Sequence, residues 1–419
     1  MKMASKSGGR NLLPEIAIYV ILSGSILFSV ILEKRAFVIG SSAGLLFYLF
    51  NRQRVLRSKH LLFCVIILFL ILTFSLACFF KQDSSLGRIL IYKVSYLILK
   101  KHPLWGIGFG NFKRQYLYYQ AEYFMQGNYL PKELMLADNT YFAFNDYFQF
   151  LIEFGIVGGV LLLSMIAILL KLTSFSLKKE SDNNFLLFSV SLIITIAVGA
   201  LFTHVFDQLI AQIIFLNALA YILIKAIFHK AVFKKEHIVI IITMFCTDLL
   251  LVCNFYQFQI FHHTAFEKVE YAKDLAIEGY NIESMERSDS LYKSCKGQYS
   301  FLTFYSTRLL LNGRPSLATK VLKEAIQQEP SYRLFLQLGA ANDSLGNTSA
   351  AQSSLKTAVF MVPNRFESRF ELFKFYRKHN LGNEAIACGT EILNLQIKVP
   401  SYRVDLIKEE TRRILKELK

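Results

Sequence analysis

Several chemical signatures are missing from this chain. Its six cysteines form no CxxC pair, so neither a zinc-finger spacing nor a thioredoxin-type redox motif is present. Cys64, Cys78, Cys246 and Cys253 stand in apolar runs, where a thiol behaves as a small core residue. Cys295 and Cys388 lie downstream, and nothing in their spacing demands a bridge. Acidic residues are scarce: 31 Asp and Glu against 47 Lys and Arg leave a formal charge of +16. On a soluble chain that imbalance would point to nucleic acid. Here much of the excess falls in short links between apolar segments, which favours a membrane-topology signal over a DNA-binding face. No cleavable leader is expected either, because Ile16–Leu32 lacks a small-residue cleavage site and further apolar segments follow.

What is abundant is long apolar runs. The apolar fraction is 53% and the mean hydropathy +0.37, gathered in blocks of the length a bilayer requires. Spans are expected near residues 14–32, 36–50, 61–80, 145–170, 185–202, 209–228 and 238–258. Basic clusters at Lys2/Lys6/Arg10, Arg52–Lys59, Lys171–Lys179 and Lys230–Lys235 then fall on one side, as the positive-inside rule requires. The reading is an all-α, polytopic membrane protein of about seven spans. It divides into residues 1–80 with three spans, 81–144 as a long outer loop, 145–260 with four more, and 261–419 as an outer helical tail.

The tail carries a repeat. Gly313/Gly346, Ala318/Ala351, Leu322/Leu355, Ala325/Ala358 and Pro330/Pro363 recur at the length of a helix-turn-helix tetratricopeptide unit. Leu338-Gly339 occupies the small-residue position of such a unit, and a weaker one follows around Gly382 and Ala387. Arrays of this kind bind a protein partner or pack on their own membrane part.

Polar residues with chemical potential concentrate between Ser84 and Val160. Arg35, at the outer end of the second span, can hold a diphosphate or snorkel to the boundary. Arg88, in Ser84-Ser85-Leu86-Gly87-Arg88 just before an amphipathic stretch, can clamp a phosphate or cap that stretch. His102-Pro103-Leu104-Trp105-Gly106-Ile107-Gly108-Phe109-Gly110-Asn111 is not a dinucleotide loop, since no strand–helix unit surrounds it. Its glycines suit a tight backbone at the membrane surface. Lys113, Arg114 and a run of tyrosines follow, fit for sugar stacking, phosphate contact or an interfacial belt. Asn145, Gln149 and Glu153 share one helical face near the outer end of the fourth span, a costly placement unless it looks into a bundle or wet cavity. Gly155-x-x-x-Gly159 is read as a close-packing face.

Glu33-Lys34-Arg35-Ala36, Gly87-Arg88, the His102–Asn111 motif and Asn145-x-Tyr147-Phe148…Glu153-x-Gly155 together resemble the O-antigen ligase and polymerase family, in that family's order, over roughly Ile16 to Leu170. The resemblance implies a metal-independent glycosyltransferase with no cofactor. Its donor would be an undecaprenyl-diphosphate-linked glycan and its acceptor a lipid A-core, a glycan or a protein, at the periplasmic face of a bacterial inner membrane. Catalytic roles would fall to Arg35, Arg88, Asp146 and Glu153. Substrate contacts would fall to His102, Arg114, Asp138, Asn145 and Tyr147. The family's motif begins His-Asn, and this chain has Phe144 at the histidine position; phenylalanine cannot accept a proton. Asp146, Asp138 and Glu153 are the nearest replacements, with His102 and His204 in reserve. The pattern enters the family near its middle, so the family's first spans are expected to be missing. The alternative is a non-catalytic scaffold acting through its repeats. A transporter is disfavoured, because Asp248 alone offers a mid-membrane site.

Overall fold

The structure is a computed structural model that describes residues 13–31, 35–52, 82–179, 183–227, 253 and 266–418. Among them every regular element is helical, as the composition demanded. The expected spans at 61–80 and 238–258, and Asp248, lie outside the described residues. The chain divides into two compact units that do not follow chain order: Met1–Gln82 with Ala143–Val252, and Asp83–Phe142 with Cys253–Lys419.

In the first unit, α1 (Leu13–Ile31) packs on α2 (Arg35–Arg52), which lies closely along the helix Asn184–Gly199. Small residues make that approach possible. A Cβ on Gly40 would come 2.3 Å from the Thr195 carbonyl, and one on Gly44 would come 2.6 Å from the Ser191 carbonyl. Leu187, Ile18, Leu22 and Tyr48 fill the seam beside α1, and Leu186, Val190, Ala218 and Ile222 fill the one toward Leu209–Ile227.

Two helices here are long and apolar enough to cross a bilayer, Asp146–Lys179 and Leu209–Ala226; Ile16–Leu27, Ala36–Asn51 and Asn184–Gly199 are shorter apolar stretches. The count of about seven spans therefore reduces to two clear candidates among the described residues. On Asp146–Lys179, Leu161, Leu163, Met165 and Ile168 are all more than half exposed. Such a stripe is costly in water and costs nothing in hydrocarbon.

One reading needs correcting. Gly155 does not serve a packing face: its φ of 66° and ψ of −166° break the helix there. Gly158 and Gly159 make room for Phe154 and Leu151 of the same segment, at 2.2 and 2.8 Å from a would-be Cβ. The break separates the polar turns 146–154 from the apolar stretch beyond, a kink of the kind glycine permits.

The second unit joins the long loop to the tail. The loop is largely helical: Gln82–Lys101, Phe112–Met125 and Pro131–Leu136. Arg88 thus sits inside a helix and not ahead of one. The stripe of Leu90, Val94 and Ile98, all buried, overrides the weak helix propensity of Ser84, Ser85 and Gly87. The tail is an array of helix pairs: 266–277 with Asn281–Cys295, Tyr299–Leu311 with Pro315–Gln328, Tyr332–Ser344 with Thr348–Met361, and Phe366–Lys378 with Gly382–Asn394, closed by Tyr402–Leu418. Each intra-pair turn has one residue at positive φ: Gly279, Gly313, Gly346 and Asn380. These recur every 33 or 34 residues and end each first helix in the left-handed conformation that glycine or asparagine adopts. Gly339 lets its pair close up, since a Cβ there would meet Leu355 at 2.7 Å.

The loop helix Phe112–Met125 packs on Thr348–Met361. Gln120 Nε2 donates to the Met361 carbonyl at 2.5 Å, and Asn364 Nδ2 reaches the carbonyls of Leu134, Met135 and Ala137 at 3.0, 3.2 and 2.6 Å. Because Gln120 and Asn364 are both buried, these bonds to backbone carbonyls pin the loop to the array.

Candidate functional site

In the first unit the candidate residues meet where Asp146–Lys179 begins. Asn145 caps that helix, its Oδ1 accepting from Phe148 N–H at 2.9 Å. Asp146 makes a latch. Its Oδ2 accepts from the backbone N–H groups of Val205 and Phe206 at 2.7 and 3.0 Å, and its own N–H donates to the Ala200 carbonyl at 2.9 Å. The Tyr147 hydroxyl donates to the Ala197 carbonyl at 2.8 Å. All four bonds fall on the end of Asn184–Gly199 and the hairpin after it, and together they fix residues 200–206 against the helix start.

Gln149 bridges inward, accepting from Ala143 N–H at 3.1 Å and donating to Glu153 at 3.4 Å. Glu153 is only 4% exposed, so this polar face is turned into the protein, where such groups are held by partners. The hairpin carries His204, and the latch sets its imidazole edge-on to the Phe144 ring, centroids 5.8 Å apart. Thr203 Oγ1 stands 3.5 Å from His204 Nδ1. Phe144 itself has a φ of 54°, a conformation rare for a bulky residue and one that tertiary contacts must hold in place. Arg35 opens α2 in this same unit.

In the second unit, Arg88 lies half-buried in Gln82–Lys101. His102 is tied by its Nε2 to the Tyr119 hydroxyl at 2.9 Å, and Lys101 pairs with Glu122 at 2.6 Å. The loop between these helices places Gly106, Gly108 and Gly110 at φ 67°, 90° and 69°, where only glycine is unstrained. Arg114 is exposed and contacts Asn111 Oδ1 at 3.3 Å. Asp138 pairs with Arg365 at 3.1 Å.

Glu133 collects Lys93, the Tyr123 hydroxyl at 2.7 Å and the Leu130 N–H at 3.0 Å. Burial alone would raise its carboxyl, but the hydrogen bonds from Lys93, Tyr123 and Leu130 outweigh it and hold the group below the ordinary glutamate value. No group of three or more His, Cys, Asp or Glu suited to a metal occurs among the described residues.

The structure thus gathers Asn145, Asp146, Tyr147 and Glu153 around one helix start. His102, Arg114 and Asp138 stand in the other unit, each with a partner. His204, in reserve by sequence, gains a defined place against Phe144. Gln120 and Asn364 carry no local pattern that would single them out, because their partners are distant backbone carbonyls.

Comparison with known proteins gives three results. Residues 18–163 match the family described as O-antigen ligase. No curated protein matches the chain. Among solved structures, the crystal structure of MamA protein has a TM-score of 0.30 at 15% identity, covering 38% of this chain and 91% of that one. A second MamA structure gives 0.29 at 16%, covering 35% and 91%, and a MamA RS-1 ArsTM double mutant gives 0.27 at 15%, covering 40% and 96%.

Proposed function

We propose, from the O-antigen ligase domain at residues 18–163, that this chain is a membrane glycan ligase relative. It would transfer a glycan from undecaprenyl diphosphate to a lipid A-core, glycan or protein acceptor at the periplasmic face of an inner membrane. The family match is the observation that carries the reading. The apolar exposed helix Asp146–Lys179, with its polar start, supports it.

In this reading an acceptor hydroxyl attacks the anomeric carbon, the sugar–phosphate bond breaks with inversion, and the diphosphate leaves. Arg35 is proposed as the cation that meets charge growing on the diphosphate. Arg88 is proposed for the same role from its place in the sequence motif. The hydroxyl proton needs an acceptor, and Phe144 cannot serve. His204, held against Phe144 by the latch, is the proposed base. Asp146 is its positioning residue, with Oδ2 committed to the hairpin backbone and Glu153 ordering the same helix face through Gln149. A second reading, a non-catalytic scaffold, is favoured by Phe144 alone.

The test is transfer of a glycan from its polyprenyl diphosphate by the full chain in lipid vesicles, comparing wild type with Arg35→Ala and Arg88→Ala. Losing a donor to developing charge typically lowers the rate by about 10²–10³. Transfer undiminished in both variants would remove these residues from the chemistry. No transfer by wild type, with recovery by Phe144→His, would establish the scaffold.

A further inference from the structure

Within the second unit the loop residues after Ala137 run beside the starts of three array helices and leave a cavity of about 340 Å³. Its walls include Asn139 and Tyr141 from the loop, Tyr299 and Tyr332 from two helix starts, and Arg333 and Arg365. A second cavity of about 330 Å³ shares Tyr332, Arg333 and Arg365 and continues toward Lys398, Arg403 and Glu367, the last two paired at 2.7 Å, so that cations outnumber the one carboxylate on its wall. Each volume falls in the range of small-molecule sites, about 300–1,000 Å³.

The chemistry of the wall is specific. Two guanidinium groups stand near the Tyr332 ring, Arg333 and Arg365 each 5.8 Å from its centroid. Arg333 Nε donates to the Tyr332 hydroxyl at 3.1 Å, which fixes that fork against the ring and leaves its terminal nitrogens to bind. Arg365 Nη2 pairs with Asp138 at 3.1 Å. The Tyr141 hydroxyl donates to Glu329, and burial together with that carboxylate pushes its phenol well up, so it stays neutral and its oxygen can still accept.

We infer that this pair of cavities binds an acidic saccharide, a pyranose carrying a carboxylate, within a short chain of sugars. Tyrosine faces accept the apolar C–H surface of a pyranose, and tyrosine hydroxyls meet its OH groups. Preset guanidinium forks bind a carboxylate bidentately, which a neutral sugar does not need. Two compact cavities sharing one wall suit consecutive sugar units. An extended acidic peptide would need backbone pairing that these side chains do not offer. The inference does not depend on glycan transfer and goes beyond it.

The test is binding by the full chain in nanodiscs, followed by calorimetry, with three probes: a hexuronic acid oligomer, an uncharged hexose oligomer of equal length, and a Glu-rich peptide. The uronate oligomer is expected to bind, and the neutral one at least about tenfold more weakly. Arg333→Ala and Tyr332→Ala should each weaken uronate binding about tenfold or more, while Tyr332→Phe retains most of it. Absence of uronate binding, equal binding of the neutral oligomer, or indifference to all the variants overturns the inference. So does preferential binding of the peptide, which would make this a peptide groove.

Discussion

The imidazole of His204 stands edge-on to the ring of Phe144, at 72° and 5.8 Å between centroids. The two are sixty positions apart, and the Asp146 carboxylate brings them together by accepting from Val205 and Phe206. In the proposed reaction this pairing decides where the proton goes. His204→Ala should lower glycan transfer by about 10²–10⁴, the usual contribution of a positioned base. Asp146→Asn should lower it less, since the amide still offers one acceptor to the hairpin. The double change Phe144→His with His204→Ala should recover part of the loss, because it moves the imidazole a few ångströms across the same contact. Transfer assays in vesicles read all three, and full activity of His204→Ala would exclude it as the base.

The first unit should be sensitive to the smallest enlargement along α2. A methyl at Gly40 or Gly44 would lie 2.3 Å or 2.6 Å from backbone carbonyls of the helix Asn184–Gly199, and backbone cannot step aside as a side chain can. Gly40→Ala and Gly44→Ala should each destabilise the protein by about 1–3 kcal/mol, the ordinary cost of overpacking. Gly24→Ala is the control, as nothing lies within 4 Å of its added carbon. Thermal melts of the detergent-solubilised chain should separate the pair from the control; three equal melts would contradict the tight seam.

Acid should loosen the second unit through Glu133. Its carboxyl is held below the ordinary value of 4.5 by Lys93, Tyr123 and Leu130. A carboxylate depressed in the folded state contributes stability that is complete above the unfolded value and is lost as pH falls through the folded one. Glu133→Gln should remove that pH-dependent part and cost about 1.5–3 kcal/mol at neutral pH, the range for hydrogen bonds to a charged group. Melts followed by circular dichroism below pH 5 should converge for wild type and variant; a constant gap down to strongly acidic pH would mean that another group carries the effect.

The repeats were legible because their spacing is a property of local sequence. The turns at Gly313 and Gly346 and the small contact at Gly339 are readable in any list of residues. The first repeat, around Gly279, went unread because its second helix is rich in Ser and charge and lacks the Ala and Pro landmarks. The last turn uses Asn380 where the others use glycine. The candidate site was legible only as a set of residue types. Asn145, Asp146 and Glu153 announce a polar helix start, but the assignment of Asp146 to a hairpin latch depends on a contact across about sixty residues that no periodicity encodes. The same holds for Asn364, whose three carbonyl partners lie more than two hundred positions away. Gly155 misled for a different reason: at packing spacing it looks like a helix contact, and only its backbone angles reveal a break.

Trp105 offers a direct reading of the glycine-rich loop. It is the only tryptophan in the chain, and it is 74% exposed beside Phe109 at 82% and Leu104 at 58%. Lys100, Lys101, Lys113 and Arg114 flank it, all exposed. Three glycines at positive φ turn the backbone through this exposed apolar stretch. Indole with cations beside it is the composition of a segment that rests at the headgroup boundary, where the ring finds apolar and polar surroundings at once. The loop should therefore enter the lipid interface. In nanodiscs of anionic lipid, Trp105 emission should shift to shorter wavelength than that of a water-exposed indole, and brominated acyl chains should quench it. Phe109→Ser should weaken the quenching, because it removes the neighbouring apolar anchor but leaves the tryptophan in place. Raising salt should weaken it in part, since the flanking cations are drawn to the lipid charge over about 8–10 Å at physiological ionic strength. Emission of a fully hydrated indole, with no quenching by brominated lipid, would place the loop in water and return its exposed aromatics to some other partner.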